Sequence, residues 1–141
     1  MSEQIGFELT LDLGFDEAIE AVTAALKQEG FGVLTRIDVH TTLKQKIDVD
    51  FRPYTILGAC NPALAHKALT ARAEVGLMLP CNVTVEQGPD GTAPGGRTLV
   101  RIINAKGMMD MSGFGDDPAI REIGAEAAER LGRVEQNLRG G

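Results

Sequence analysis

Two cysteines, each followed by asparagine, are the residues best placed to do chemistry in this chain: Cys60-Asn61-Pro62 and Pro80-Cys81-Asn82. Asn61-Pro62 has the form of a helix N-cap followed by proline at the first helical position. Cys60 then falls between a strand and a helix start, where free amides and the helix dipole favour a thiolate. Such a thiol can serve as a nucleophile, a soft-metal ligand or a redox partner of Cys81. The competing reading is structural. Unpaired cysteine is among the most buried residue types and packs as a small hydrophobe, and Cys81 falls on an alternating Leu-Val face.

Other chemistry is less well supported. A zinc centre needs three or four ligands, usually with two cysteines close in sequence. Here the cysteines stand 21 positions apart and His40 and His66 fit no ligand spacing, so no metal centre is expected. Met108, Met109 and Met111 carry thioethers that suit a soft ion such as Cu(I). Methionine clusters more commonly serve as adaptable packing. Asp48, Asp50, Asp116 and Asp117 read as capping or solvated carboxylates. The Gly-x-Gly at Gly30 and Gly32 follows a helix, the wrong context for a dinucleotide fingerprint. No nucleophile elbow, phosphate loop or triad can be assembled, so spacing specifies neither an enzyme nor a cofactor.

The elements that must position these residues belong to one domain over residues 1–141, a length that supports a real core. With five Phe, one Tyr and no Trp, that core must be aliphatic. The balance of 14 basic against 20 acidic residues gives −6 with no basic stripe, so nucleic acid is not an expected partner. No stretch reaches the ~20 apolar residues of a membrane span. The start lacks the basic-then-apolar plan of a signal peptide, which points to a cytoplasmic protein with free thiols.

Along the chain the hydrophobic period switches repeatedly. Ile5, Phe7, Leu9, Leu11 and Leu13 alternate with polar residues as in a half-buried strand. Asp16 then caps a helix carrying Ile19, Val22, Ala25 and Leu26, with Gly30 just past its end. A second strand places Phe31, Val33, Ile37 and Val39 on one face, against Arg36, Asp38 and His40 on the other. Thr42-Leu43-Lys44-Gln45 has capping-box form and predicts a short helix with Leu43 and Ile47 inward. Residues 54–60 are apolar on both faces, as in an interior strand, and lead into a helix with Leu64, Ala68 and Leu69 inside. Leu77, Leu79, Cys81, Val83 and Val85 alternate in the next strand, with a bulge or edge position expected at Pro80. Residues 87–96 form a Gly/Pro-rich hairpin loop before a returning strand at 99–103, and 105–117 read as a loop. A final helix at 118–138 carries Ile120, Ile123, Ala127, Leu131, Val134 and Leu138 in one stripe.

The segments Tyr54-Thr55-Ile56-Leu57-Gly58-Ala59-Cys60-Asn61-Pro62-Ala63-Leu64-Ala65 and Gly76-Leu77-Met78-Leu79-Pro80-Cys81-Asn82-Val83 resemble the family called domain of unknown function 302. The opening strand around Gly30-Phe31-Gly32-Val33-Leu34-Thr35 matches that family too, and the resemblance spans residues 5–110. It implies a homodimeric α+β domain: a two-layer sandwich of TATA-binding-protein-like topology, with a curved, mostly antiparallel sheet and helices on one face. It marks Cys60, Asn61, Pro62, Pro80, Cys81 and Asn82 as candidate ligand-binding positions and implies no established reaction. Asn104-Ala105 stands where that family often has Asp-Pro, and Ala73-Glu74 where an acidic residue and proline are common.

The expectation is an uncharacterised, homodimeric ligand-binding or interaction protein with a small-molecule pocket near the two Cys-Asn elements. The alternative is a thiol-dependent redox or soft-metal-handling protein using Cys60, with Cys81 as its companion. The dimer follows from the sheet: helices covering one face leave the other, with Leu34, Met78 and part of residues 54–60, to meet a partner.

Overall fold

Alternation of Leu9 and Leu11 with Glu8 and Thr10 builds the first strand, β1 (Gly6–Leu11), and the helix α1 (Phe15–Gln28) follows. The computed structural model describes residues 5–87 and 97–140, so most of the hairpin loop expected at 87–96 lies outside the described residues. The chain continues as β2 (Gly32–Asp38), α2 (Val39–Ile47), β3 (Tyr54–Cys60) and α3 (Pro62–Ala71). After a 3-10 turn at Ala73–Met78 come β4 (Cys81–Glu86), β5 (Thr98–Ile103) and α4 (Ala105–Met111). A second 3-10 turn at Phe114–Asp116 leads into α5 (Pro118–Gly140).

The strands form one sheet in the order β1-β5-β4-β3-β2, antiparallel at every pairing. One face supplies Leu9, Leu57, Ala59, Cys81, Val83, Val85, Val100 and Ile102 to the core. Packed on that face are Val22 and Leu26 of α1, Leu64 of α3, Ala105 of α4 and Leu131 and Val134 of α5. Four helices therefore share one side of the sheet, and the molecule is a two-layer α+β sandwich. A smaller apolar cluster of Ala68, Val75, Met109 and Ile120 adjoins it beneath α3, α4 and α5.

Several local expectations are corrected. The N-cap of α1 is Gly14, whose amide donates to Glu17 at 3.2 Å; Asp16 lies within the first turn. In β2 the register shifts between Val33 and Thr35, so Leu34 bulges out. Because strand side chains alternate, that extra residue turns Ile37 to the face opposite Val33. Helix α2 starts at Val39 rather than near Thr42 and buries no residue. It packs beside β2 and β3, and its His40 meets Phe15 at the start of α1 edge to face, with ring centroids 5.9 Å apart; Leu43 is left half-buried and Ile47 62% exposed.

The strand expected through 77–85 begins only at Cys81. Leu77 belongs to the preceding 3-10 turn and is 91% exposed, while Met78 packs into the smaller cluster rather than on the open sheet face. Proline offers no ladder hydrogen: the strand opens just after Pro80, which follows a cis peptide, and β4 pairs with β3 without a bulge. The segment 105–117 is not a loop. The Asn104 side chain accepts the Gly107 amide at 3.1 Å and starts α4, with Ala105 at the first helical position. These two residues thus cap and open the helix as Asp-Pro would.

Candidate functional site

The six marked positions separate onto the two faces of the sheet. Cys60 ends β3, and Cys81 opens β4 opposite Ala59. Both cysteines are free, Cys60 half-buried and Cys81 buried. Both line a cavity of about 40 Å³ among Asn61, Leu64, Leu79 and Met109. Burial pushes the Cys81 thiol up to about 11, and the neighbouring Cys60 adds to the rise. Cys81 is therefore a protonated, poorly nucleophilic thiol at neutral pH.

Asn61 is a structural joint. Its Oδ1 accepts the Leu64 amide at 3.2 Å as the N-cap of α3, while its Nδ2 donates to the Glu29 carbonyl at 3.5 Å. Arg130 of α5 donates to the same carbonyl at 3.2 Å, so the end of α1, the start of α3 and the middle of α5 meet there. Gly30 makes this possible: its φ is +86°, and a Cβ on it would stand 2.9 Å from Asn61 Nδ2. Pro62 is exposed at the first position of α3. Pro80 sits over Gly58, where an added Cβ would approach its Cγ to 2.7 Å.

Asn82 is exposed and points away from Cys81, to the face without the four helices. There it lines a depression of about 340 Å³ with Tyr54, Thr84, Arg101, Ile5 and Ile103. The Thr84 hydroxyl is buried and has no hydrogen-bond partner among the described residues. Beside it Glu86, 1% exposed, receives Arg52 at 2.7 Å and a close contact from Arg101, which also pairs with Glu8 at 2.8 Å. Burial alone would raise the Glu86 carboxyl; the Arg52 and Arg101 guanidiniums outweigh it and hold it below the usual carboxylate range. The face is thus polar at its centre, with charges balanced in pairs.

This ionic group was not among the sequence candidates. The available signal was Arg101 inside the apolar run Leu99-Val100-Arg101-Ile102-Ile103. His40 Nδ1 accepts the Tyr54 amide at 3.0 Å, and His66 is exposed on α3. Met108 is half-buried, Met109 buried and Met111 exposed. Among the described residues no three of the His, Cys, Asp and Glu side chains come together to hold a metal. A further depression, about 610 Å³ between β1, α1 and the end of α5, shares no lining residue with either region. Among the described residues no helix is long and apolar enough to cross a membrane.

The chain matches the family described as Domain of unknown function DUF302 over residues 7–138. A crystal structure of an uncharacterised conserved DUF302 protein from Bacillus stearothermophilus is 32% identical. It superposes with a TM-score of 0.81, covering 96% of this chain and 98% of its own. No curated protein matches. With the family match spanning nearly the whole chain and the fold shared with that relative, this chain belongs to the DUF302 family, whose function is uncharacterised.

Proposed function

We propose that the chain is a cytoplasmic, homodimeric binding module that takes a small polar molecule on the open face of its sheet. The supporting observation is the depression of about 340 Å³ at Tyr54, Asn82, Thr84 and Arg101, with the unpartnered Thr84 hydroxyl beside it. Ligand sites combine apolar walls with a few convergent polar groups, in volumes from about 300 Å³ upward. The cavity between the cysteines, near 40 Å³, is too small for that role. Of the six marked positions only Asn82 lines the larger space.

Native mass spectrometry of the protein purified from its own host tests this reading. The expected result is a dimer retaining a small molecule, lost in Asn82→Ala and weakened in Thr84→Val. Protein free of any ligand, together with unchanged amide signals in β4 and β5 against a library of small polar compounds, would end the reading.

A further inference from the structure

We propose that the ligand of the open face is a small monocarboxylate, which binds Arg101 in place of Glu8. The inference rests on the open-face reading above and names the chemistry of its ligand. Strand register sets three side chains in a row: Glu8 stands opposite Arg101, and Arg101 opposite Thr84. Their sequence neighbours Leu9, Val83, Val85, Val100 and Ile102 are buried in the core, so alternation turns all three to the other face. All three line the depression of about 340 Å³.

Two carboxylates hold Arg101. Its Nη1 contacts Glu86, and its Nε donates to Glu8 Oε2 at 2.8 Å. The two differ in how firmly they are placed. Glu86 is 1% exposed and stays, whereas the Glu8 side chain is 60% exposed and can turn to solvent. An exposed ion pair contributes little to stability, so its exchange costs little. The Nε and Nη2 hydrogens of a guanidinium form a fork that matches the two oxygens of a carboxylate. Glu8 at Nε shows which group this fork accepts.

Charge selects among oxygen ligands. Arg52 and Arg101 balance Glu86 and Glu8. A monocarboxylate that replaces Glu8 at Arg101 keeps the balance, while a phosphate dianion exceeds it. A neutral amide offers one oxygen and forgoes the charge-assisted bond. Directly across from Arg101, the Thr84 hydroxyl is buried without a partner among the described residues and is free to donate to the second carboxylate oxygen. Tyr54 and Ile103, both half-buried on the lining, give an apolar body its walls.

The test follows the β4 and β5 amide signals of the isotope-labelled full-length protein at neutral pH. Acetate, propionate and benzoate are titrated beside their three amides and inorganic phosphate. The carboxylates should move the signals around Thr84 and Arg101 and bind about tenfold more tightly than the amides. Glu8→Gln should tighten carboxylate binding by up to about fivefold, because it weakens the internal competitor. A merely structural Glu8 would not produce that gain. Arg101→Lys keeps a cation beside Glu86 but loses the fork, and should weaken binding by about tenfold or more. Thermal melting checks that each variant folds, and Glu8→Gln, at an exposed position, carries the test if Arg101→Lys does not. Amides binding as tightly as the acids, phosphate binding more tightly, or Glu8→Gln leaving carboxylate affinity unchanged would each overturn the proposal while the open-face site stands. Silence from acids, amides and phosphate alike would take down both.

Discussion

The Asn61 side chain ties two helix ends together: Nδ2 donates to the Glu29 carbonyl while Oδ1 accepts the Leu64 amide. An N-cap of this kind contributes about 1 kcal/mol. Asn61→Ala should therefore destabilise the fold by about 1–2 kcal/mol, since the joint to α1 goes as well. Asn61→Asp keeps the acceptor and loses the donor, so it should fall between the two. Urea midpoints of the three proteins check this order, and an Asn61→Ala protein as stable as wild type would remove the joint.

Glu86 and its two arginines predict a pH dependence. The folded carboxyl lies below its usual range, whereas an unfolded glutamate titrates near about 4.3. A group with a depressed folded pKa stabilises the fold above the unfolded value, and the contribution is lost as pH falls through the folded value. Stability should thus drop below about pH 4.3, and Glu86→Gln should show a smaller drop. Arg101→Ala leaves a buried carboxylate with Arg52 alone and should cost about 2 kcal/mol, discounted because Arg101 is itself half-exposed. Denaturation curves measured across pH for the three proteins decide it.

Gly58 sits directly under Pro80 and Thr35, leaving no room for a Cβ. Gly58→Ala should destabilise by about 1–3 kcal/mol, the usual range for overpacking. A variant melting at the wild-type temperature would show that Pro80 can move aside.

The thiols should react in order. Cys60 is half-buried and Cys81 buried, so alkylation at pH 8, read by peptide mass, should mark Cys60 first. Cys81 also predicts a basic limit of stability. Its folded pKa of about 11 lies above the ~8.5 of an unfolded thiol. Its contribution is full below about pH 8.5 and lost as pH rises through 11, and a Cys81→Ala protein should lack that fall.

The proposed dimer rests on a face that the fold leaves bare. Helix α5 packs with α1 in the helical layer, on the core face of the sheet, and does not cover the opposite face. Ile37, 48% exposed, shares the opposite face with its neighbour Ile56, and α2 alongside buries nothing. Sedimentation at micromolar concentration should give twice the 15.0 kDa chain mass, and Ile37→Glu should halve it. A single wild-type species at the chain mass would sink the dimer.

Much of the fold is legible in residue order because its signals are local. The alternation of Leu9 with Glu8, the stripe from Ile120 to Val134 and the cap at Asn61 each arise within a few residues, at the periods of strand and helix. The cysteine-asparagine elements stand out by type and repetition in the same way. Helix α4 was missed because its start depends on a single capping side chain, Asn104, in a segment without an apolar period.

What the order of residues leaves open is which side chains meet. One bulge at Leu34 reverses the face of Ile37, because side-chain direction alternates with every residue and a single insertion inverts it. Likewise Asn82 follows Cys81 directly yet lies on the opposite face, so one marked element serves two different spaces. Glu86, Arg52 and Arg101 stand on separate segments, and only the pairing of β3, β4 and β5 draws them together. The same long-range packing brings Met109 to the cysteine cavity. Sequence by itself determined the elements and the chemistry each can offer; tertiary structure decided the partners, since contacts between distant segments depend on register and layer rather than on spacing along the chain.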